Sequence, residues 1–342
     1  MKALFLTEVG KTAVREIEKP TPGPGEVLLK IGMVGFCGGD LNGFKGLFEL
    51  QEYPNILGHE IGATIESVGN EVPAHIKPGM RATVYPYLNC GKCISCRKGH
   101  RNACQDNKTM GVRRPGAMTS FINVPWQDIF ISEHLTLREL ALVEPLTVGF
   151  HAATRGRIDA SDHVAVMGCG IVGMGALASA VSRGAKVIAI DLDDNKLAIA
   201  KSIGVMYTIN PEKTDLHQAL LDCTSGDGPD VIIEAVGSPK TYRTAVDEVA
   251  YTGRVVCVGY AKAPVEFNTG VFVRKEIEIL GSRNCTTEFP DVIKYLESGK
   301  FPVDAVISKE VSIEQAGAAL ADWAVNPAGI VKIMVNFDAG HG

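Results

Sequence analysis

Near the middle of the chain, Val164, Ala165, Val166 and Met167 form an unbroken apolar run, and Lys186–Ile190, Val231–Val236, Val255–Gly259 and Ile277–Leu280 repeat that pattern downstream. Short runs of this kind predict strands buried on both faces, as in a parallel sheet covered by helices. From about Val148 onward such runs alternate with helical stretches, for example Asn195–Ile203 stopped by Gly204, which implies βαβ units. The first part differs. Lys2–Val9, Val27–Val34, Ile61–Val68, Met80–Tyr85 and Met118–Val124 are β-prone and separated by turn signals such as Pro20–Gly25 and Pro78-Gly79. Beyond Cys285 the pattern predicts helices over Pro290–Ser298 and Ile313–Val325, the second capped by Ser312 with Gln315 completing a capping box. A last strand, Val331–Phe337, is expected to return to the early strands, which have no other partner. The whole is an α/β chain: a β-rich domain over 1–147, a doubly wound parallel-sheet domain over 148–285, and a returning segment over 286–342. No internal repeat or low-complexity segment is visible.

The central run ends in Gly168-Cys169-Gly170-Ile171-Val172-Gly173, a Gly-x-Gly-x-x-Gly turn between a strand and a helix. The first glycine permits the tight turn, the second lets a pyrophosphate approach the backbone, and the third lets helix and strand pack closely. The helix N-terminus then faces the phosphates. Asp191 closes the next strand at about the 20-residue distance where an acid binds a ribose 2′-hydroxyl, which favours NAD over NADP. Val258 and Gly259, at the carboxyl end of a later strand, join Gly168, Gly170, Ile171, Val172, Gly173 and Asp191 in the expected cofactor set. Val164 to Val181 carries no charge, but a transmembrane span is rejected. Gly168, Gly170, Gly173 and Gly175, with Ser179 and Arg183 close behind, suit a buried helix instead.

Composition narrows the class. A length of 342 residues with 46% hydrophobic residues allows about two cores. The net charge of −5, with Lys and Arg dispersed, gives no reason to bind nucleic acid or an anionic membrane, so a small-molecule partner is expected. Met1 to Pro20 lacks a signal-type apolar core, which points to the cytoplasm.

Nine cysteines without an export signal suggest thiolate ligands and buried thiols rather than disulfides. Cys90, Cys93, Cys96 and Cys104 supply four thiolates on a short loop, enough for a closed tetrahedral zinc site, and a closed site is structural. A redox Cys-x-x-Cys fits this glycine-containing loop poorly. A second set is dispersed: Cys37 in Gly35-Phe36-Cys37-Gly38-Gly39-Asp40, His59 and Glu60 after Gly58, and Glu144 before Pro145. Each alone is unremarkable, the Glu-Pro pair reading as a helix start. Together they offer sulfur, nitrogen and carboxylate oxygen, a catalytic zinc set with one position open.

These segments, in this order and spacing, resemble the zinc-dependent medium-chain alcohol dehydrogenase family, within it the sorbitol, threonine and hexonate dehydrogenase group. The resemblance covers nearly the whole chain. It implies a GroES-like catalytic domain, with a structural zinc lobe at about 88–106, split around a Rossmann domain, and a catalytic zinc in the cleft between them. It implies two zinc ions, one catalytic and one structural, with NAD as cofactor and a homo-oligomer, dimer or tetramer. Cys37 and His59 would be ligands, Glu60 and Glu144 would share the third position directly or through water, and Asp40 would orient the His59 ring. Lys196 would steady the adenosine ribose beside Asp191. Gly39 and Asn42 depart from the family, where a Ser or Thr and a His relay the alcohol proton. That proton must leave through Glu60, Glu144 or water.

The resemblance implies that hydride passes from a secondary alcohol to NAD. Arg113 and Arg114 lie in a loop that borders the substrate cleft in the family. Arginine forks suit a carboxylate, and Asn42 and Asn89 suit a polyhydroxylated substrate, so a hexonate or polyol is expected. The loop Gly111–Gly116 also resembles that of threonine dehydrogenases, which makes amino-alcohol oxidation the alternative. A non-catalytic NAD-binding protein is the remote one, since the fold alone does not require Cys37, His59, Glu60 and Glu144.

Overall fold

The computed structural model describes residues 1–338, and the chain divides into two compact units. One comprises Met1–Glu144, Phe289–Gly299 and the described residues from Ile307 onward; the other comprises Pro145–Glu288 and Lys300–Val306. The first division falls inside one helix, Leu137–Arg155, between Glu144 and Pro145. The hydrophobic pattern gives no sign of a boundary within a continuous helix. Pro145 is therefore inside a helix rather than at its start, where its missing N–H deprives the Ala141 carbonyl of a partner.

In the first unit a seven-stranded sheet runs in the order Ile129–Ile131, Arg81–Val84, Glu60–Val68, Glu26–Gly35, Lys332–Asn336 and Ile307–Ser312, with Phe121–Pro125 also on Glu26–Gly35. The last strand pairs antiparallel with Glu26–Gly35, Met334 opposite Gly35 and Val335 opposite Val34. Strand alternation decides what each face carries. Val34, Ile61, Ala63, Ile65, Ile333 and Val335 enter one apolar core with Leu4, Leu6 and Val84. Gly35, Glu60 and Lys332, each one residue out of phase, therefore share the opposite face.

The second unit is a six-stranded, all-parallel sheet in the order Tyr207–Ile209, Lys186–Ile190, His163–Met167, Val231–Glu234, Arg254–Cys257 and Glu278–Gly281. Numbered along the chain this is 3-2-1-4-5-6, the doubly wound order whose reversal point takes a dinucleotide. Helix Ile171–Ser182 lies so close to Leu137–Arg155 that a Cβ on Gly149 would sit 2.3 Å from the Ala176 nitrogen. Gly175, one of the glycines that argue against a transmembrane span, marks the same packing, a Cβ there lying 2.7 Å from the Leu146 carbonyl oxygen. No described helix is long and apolar enough to cross a membrane.

Candidate metal centres and cofactor turn

Cys90, Cys93, Cys96 and Cys104 bring their sulfurs within 4.8 Å of one another. The Cys93 sulfur is 3.5 Å from that of Cys96 and 3.9 Å from that of Cys104. Tetrahedral Zn–S bonds of about 2.3 Å require sulfurs about 3.8 Å apart, so the spacing fits zinc and excludes a disulfide. Backbone N–H groups of Cys96 and Gln105 lower the Cys93 thiol to about 6. Burial, then the sulfurs of Cys93 and Cys104, push Cys96 up to about 12. One thiolate here opposes the next, and a divalent cation removes that opposition. Asn89 belongs to this lobe: its amide donates to the Arg101 carbonyl at 2.9 Å and to Asn107 at 3.2 Å.

The second cluster is Cys37, His59 and Glu60, again with ligand atoms within 4.8 Å. Cys37 caps helix Gly38–Phe44, its sulfur accepting from the Gly39 N–H at 3.3 Å while Asp40 accepts from the Cys37 N–H at 2.8 Å. Gly58, at φ 94°, turns the chain so that His59 and Glu60 enter the next strand buried, with relative exposures of 6% and 0%. Glu144 is 3% exposed and accepts from the Tyr87 hydroxyl. Burial opposes protonation of His59, yet the neighbouring Cys37, followed by Asp40 and Glu144, holds its pKa well above the ordinary value. The sulfur, nitrogen and oxygen donors gathered here match a zinc site. One expectation fails: Asp40 makes no hydrogen bond to His59. Its Oδ2 is engaged in capping Cys37, while Asp40 Oδ1 and His59 Nδ1 are both buried without partners. Its pull on the ring is electrostatic only.

The loop carrying Arg113 and Arg114 packs directly against the histidine turn. A Cβ on Gly111 would lie 2.7 Å from the Gly58 nitrogen, and one on Gly116 would lie 2.3 Å from the Leu57 carbonyl oxygen. Arg113 is already paired, its Nη1 3.1 Å from Asp106 and its Nε 3.8 Å from Glu52, and so does not present the free fork expected of it. Arg114 donates from Nη2 to the Pro86 carbonyl at 3.1 Å and keeps a buried Nε with no partner. Asn42 lies on the same helix as Asp40.

In the second unit Gly168 adopts φ 94°, and a Cβ on Gly173 would stand 1.8 Å from the Gly168 carbonyl oxygen. A Cβ on Gly170 would meet nothing within 4 Å, which leaves the helix start at Ile171 and Val172 open to a phosphate. Asp191 accepts from the Cys169 N–H at 2.7 Å and the Asp193 N–H at 2.9 Å, so its carboxylate is fixed beside the turn. Lys196 acts on the same place, its charge opposing the burial and the Asp191 charge that raise the Cys169 thiol. Val258 and Gly259 both donate their N–H groups to the Glu234 carbonyl, and the Gly259 carbonyl accepts from Tyr242. They can therefore line the crevice but offer no N–H to a cofactor.

Sequence reasoning missed Tyr87, Glu234 and Lys332. Glu234 is fully buried, and its Oε1 accepts from Val236, Gly237 and Thr241, shaping the turn next to Gly168. Lys332 holds Glu60. Each is a charge within or closing an apolar strand, a signal present in Val231–Glu234 and in Val331–Val335. Tyr87 had none.

Residues 23–133 match the alcohol dehydrogenase GroES-like domain and residues 172–298 match the zinc-binding dehydrogenase domain. A sorbitol dehydrogenase of Bacillus subtilis is 32% identical over 94% of this chain and 92% of its own length. An L-galactonate-5-dehydrogenase of Escherichia coli is 28% identical over 98% and 99%, and an L-threonine 3-dehydrogenase of Pyrococcus horikoshii is 32% identical over 90% of each. Galactitol-1-phosphate dehydrogenase from Escherichia coli superposes with a TM-score of 0.91 at 30% identity, covering 98% of this chain and 100% of that one. A zinc-binding dehydrogenase from Sinorhizobium meliloti bound to NADP gives 0.92 at 29%, covering 98% and 99%. The chain belongs to the zinc-dependent medium-chain alcohol dehydrogenase family. It is an oxidoreductase of that family's polyol, sugar-acid and alcohol dehydrogenases, with NAD(P) and zinc as cofactors.

Proposed function

We propose that the protein oxidises a secondary hydroxyl of a hexonate, or failing that of a polyol, to the ketone with NAD as acceptor. The observation that carries this reading is Arg114, whose buried, unpartnered Nε stands on the loop that packs against the His59 turn. A guanidinium donor without a partner in such a place suits a substrate carboxylate. The L-galactonate and sorbitol dehydrogenase relatives are consistent with it. The threonine dehydrogenase relative favours a second reading, oxidation of an amino alcohol, whose carboxylate the same arginine would serve.

Cys37, His59 and a carboxylate would hold the zinc, which would supply Lewis-acid polarisation of the alcohol, and NAD would supply the hydride acceptor. The chain's own residues do the rest. The helix-capping N–H of Gly39 donates to the Cys37 sulfur and fixes its place, and the buried setting of His59 excludes water. Gly39 and Asn42 offer neither the hydroxyl nor the imidazole of a relay, so the alcohol proton passes to Glu60, Glu144 or water. Asp191 binds the 2′-hydroxyl and repels a 2′-phosphate, with Asp193 and Asp194 adding to the repulsion. The test is a panel of hexonates, polyols, amino acids and simple alcohols with NAD, read as NADH absorbance. Turnover of a hexonate or polyol is expected; preferred turnover of ethanol or threonine refutes the substrate class.

A further inference from the structure

Asn55 opens the short strand Asn55–Ile56, which pairs with Lys2–Glu8, and is 6% exposed. Its side-chain nitrogen donates to the Val112 carbonyl at 3.0 Å and to the Arg114 carbonyl at 3.2 Å. Both partners are acceptors, so the place calls for the two N–H groups of an amide, and both are used. Each carbonyl also takes a backbone N–H, that of Val112 from Glu52 at 3.0 Å and that of Arg114 from Gly111 at 2.8 Å. Gln51, equally buried, donates to the Gly111 carbonyl at 3.2 Å, and the Gly116 N–H donates to the Ile56 carbonyl at 2.8 Å. The loop from Gly111 to Gly116 is thus gripped along its length by the segment that leads into the Gly58 turn and His59.

We infer that Asn55 is a positioning residue for Arg114 and thereby sets the preference for an acidic over a neutral substrate. The inference rests on the proposed reading of Arg114 as the donor to a substrate carboxylate. The bond from the Gly111 N–H to the Arg114 carbonyl closes the turn on itself but does not say where the turn sits. Asn55 does, because it ties the Arg114 backbone to the short run of chain that ends in His59. At its far end the arginine is held by the Pro86 carbonyl, 3.1 Å from Nη2. Anchored at both ends, the side chain gives its unpartnered Nε one direction. Hydrogen bonds weaken steeply as donor and acceptor fall out of line, and a displacement of about 1 Å in a positioning group costs up to about 100-fold in rate.

Asn55→Leu nearly keeps the volume and removes both donors, while each carbonyl retains its backbone partner, so no buried acceptor is orphaned. In this variant KM for a hexonate should rise about ten-fold, with kcat and the KM for a neutral polyol staying within about two-fold of the wild type. Loss of a merely structural contact would instead lower the thermal midpoint and depress turnover of both substrates alike. In an Arg114→Ala background Asn55→Leu should add nothing to the hexonate KM, because the position of the loop matters only while the guanidinium is there. Should Asn55→Leu fail to fold, Gln51→Met releases the neighbouring Gly111 carbonyl and should raise the hexonate KM with the same selectivity. An unchanged hexonate KM in the folded variant, equal losses on hexonate and polyol, or a full further loss in the Arg114→Ala background overturns the inference. If Arg114→Ala itself leaves the hexonate KM unchanged, the reading of Arg114 is refuted, and the inference with it.

Discussion

Replacement of Asp191 by alanine tests cofactor choice without knowledge of the substrate. The wild-type carboxylate is held by two backbone N–H groups, at 2.7 and 2.9 Å, and each oxygen keeps a further lone pair for a ribose hydroxyl. A hydrogen bond to a charged group is worth about 1.5–3 kcal/mol, or about 10–150-fold in affinity. A 2′-phosphate at about 5 Å carries roughly −1.5 to −2 charge and is repelled by about 1–2 kcal/mol under solvent-like screening. Together these predict that the wild type prefers NADH to NADPH by about 100-fold or more. Asp191→Ala should reduce that preference to within about ten-fold. The substitution also strips the Cys169 and Asp193 N–H groups of their acceptor, which loosens the turn for both cofactors. The ratio of dissociation constants, measured by NADH and NADPH fluorescence titration, is therefore the quantity to read. Equal affinity of the wild type for both cofactors, or an unchanged ratio in the variant, refutes the assignment of Asp191.

Cys96→Ala removes a thiolate from the four-sulfur cluster and should lower the thermal midpoint by about 5 °C or more, whereas Cys37→Ala should stay near the wild-type midpoint; wild-type stability in Cys96→Ala contradicts a structural site there. Arg114→Ala should raise KM for a hexonate about ten-fold while changing a neutral polyol much less, and Arg113→Ala, already paired with Asp106, should affect both little; equal losses on both substrates in Arg114→Ala refute carboxylate recognition. Gly170→Ala has room for its methyl group and should keep stability but weaken NADH binding, whereas Gly173→Ala, whose Cβ meets the Gly168 carbonyl at 1.8 Å, should lower both, as melting curves and fluorescence titration would report.

Much of the architecture is legible in local pattern. The strand Lys186–Ile190 and the helix Ile313–Val325 have the bounds the sequence predicts, because a buried run flanked by charge and a capped amphipathic stretch both state their ends locally. The return of the last strand to the first sheet could be guessed only from the lack of another partner, and the structure pairs it with Glu26–Gly35. The metal clusters were legible because ligand chemistry restricts residue type. What escaped was long-range pairing. Nothing local says that Lys332 meets Glu60, 272 positions away, or that Arg113 is neutralised by Asp106 and Glu52. Asp40 was expected to reach His59 and instead caps its own helix, because the closest orphan donor, the Cys37 N–H, is three residues away.

Cys37 and His59 are proposed to hold a zinc ion separate from that of the four-cysteine lobe. Elemental analysis of the purified protein, alongside Cys37→Ala and His59→Ala, tests it most directly. Two zinc ions per chain in the wild type, falling to one with loss of dehydrogenase activity in each folded variant, is the predicted result; one zinc in the wild type, or two retained in both variants, would contradict it.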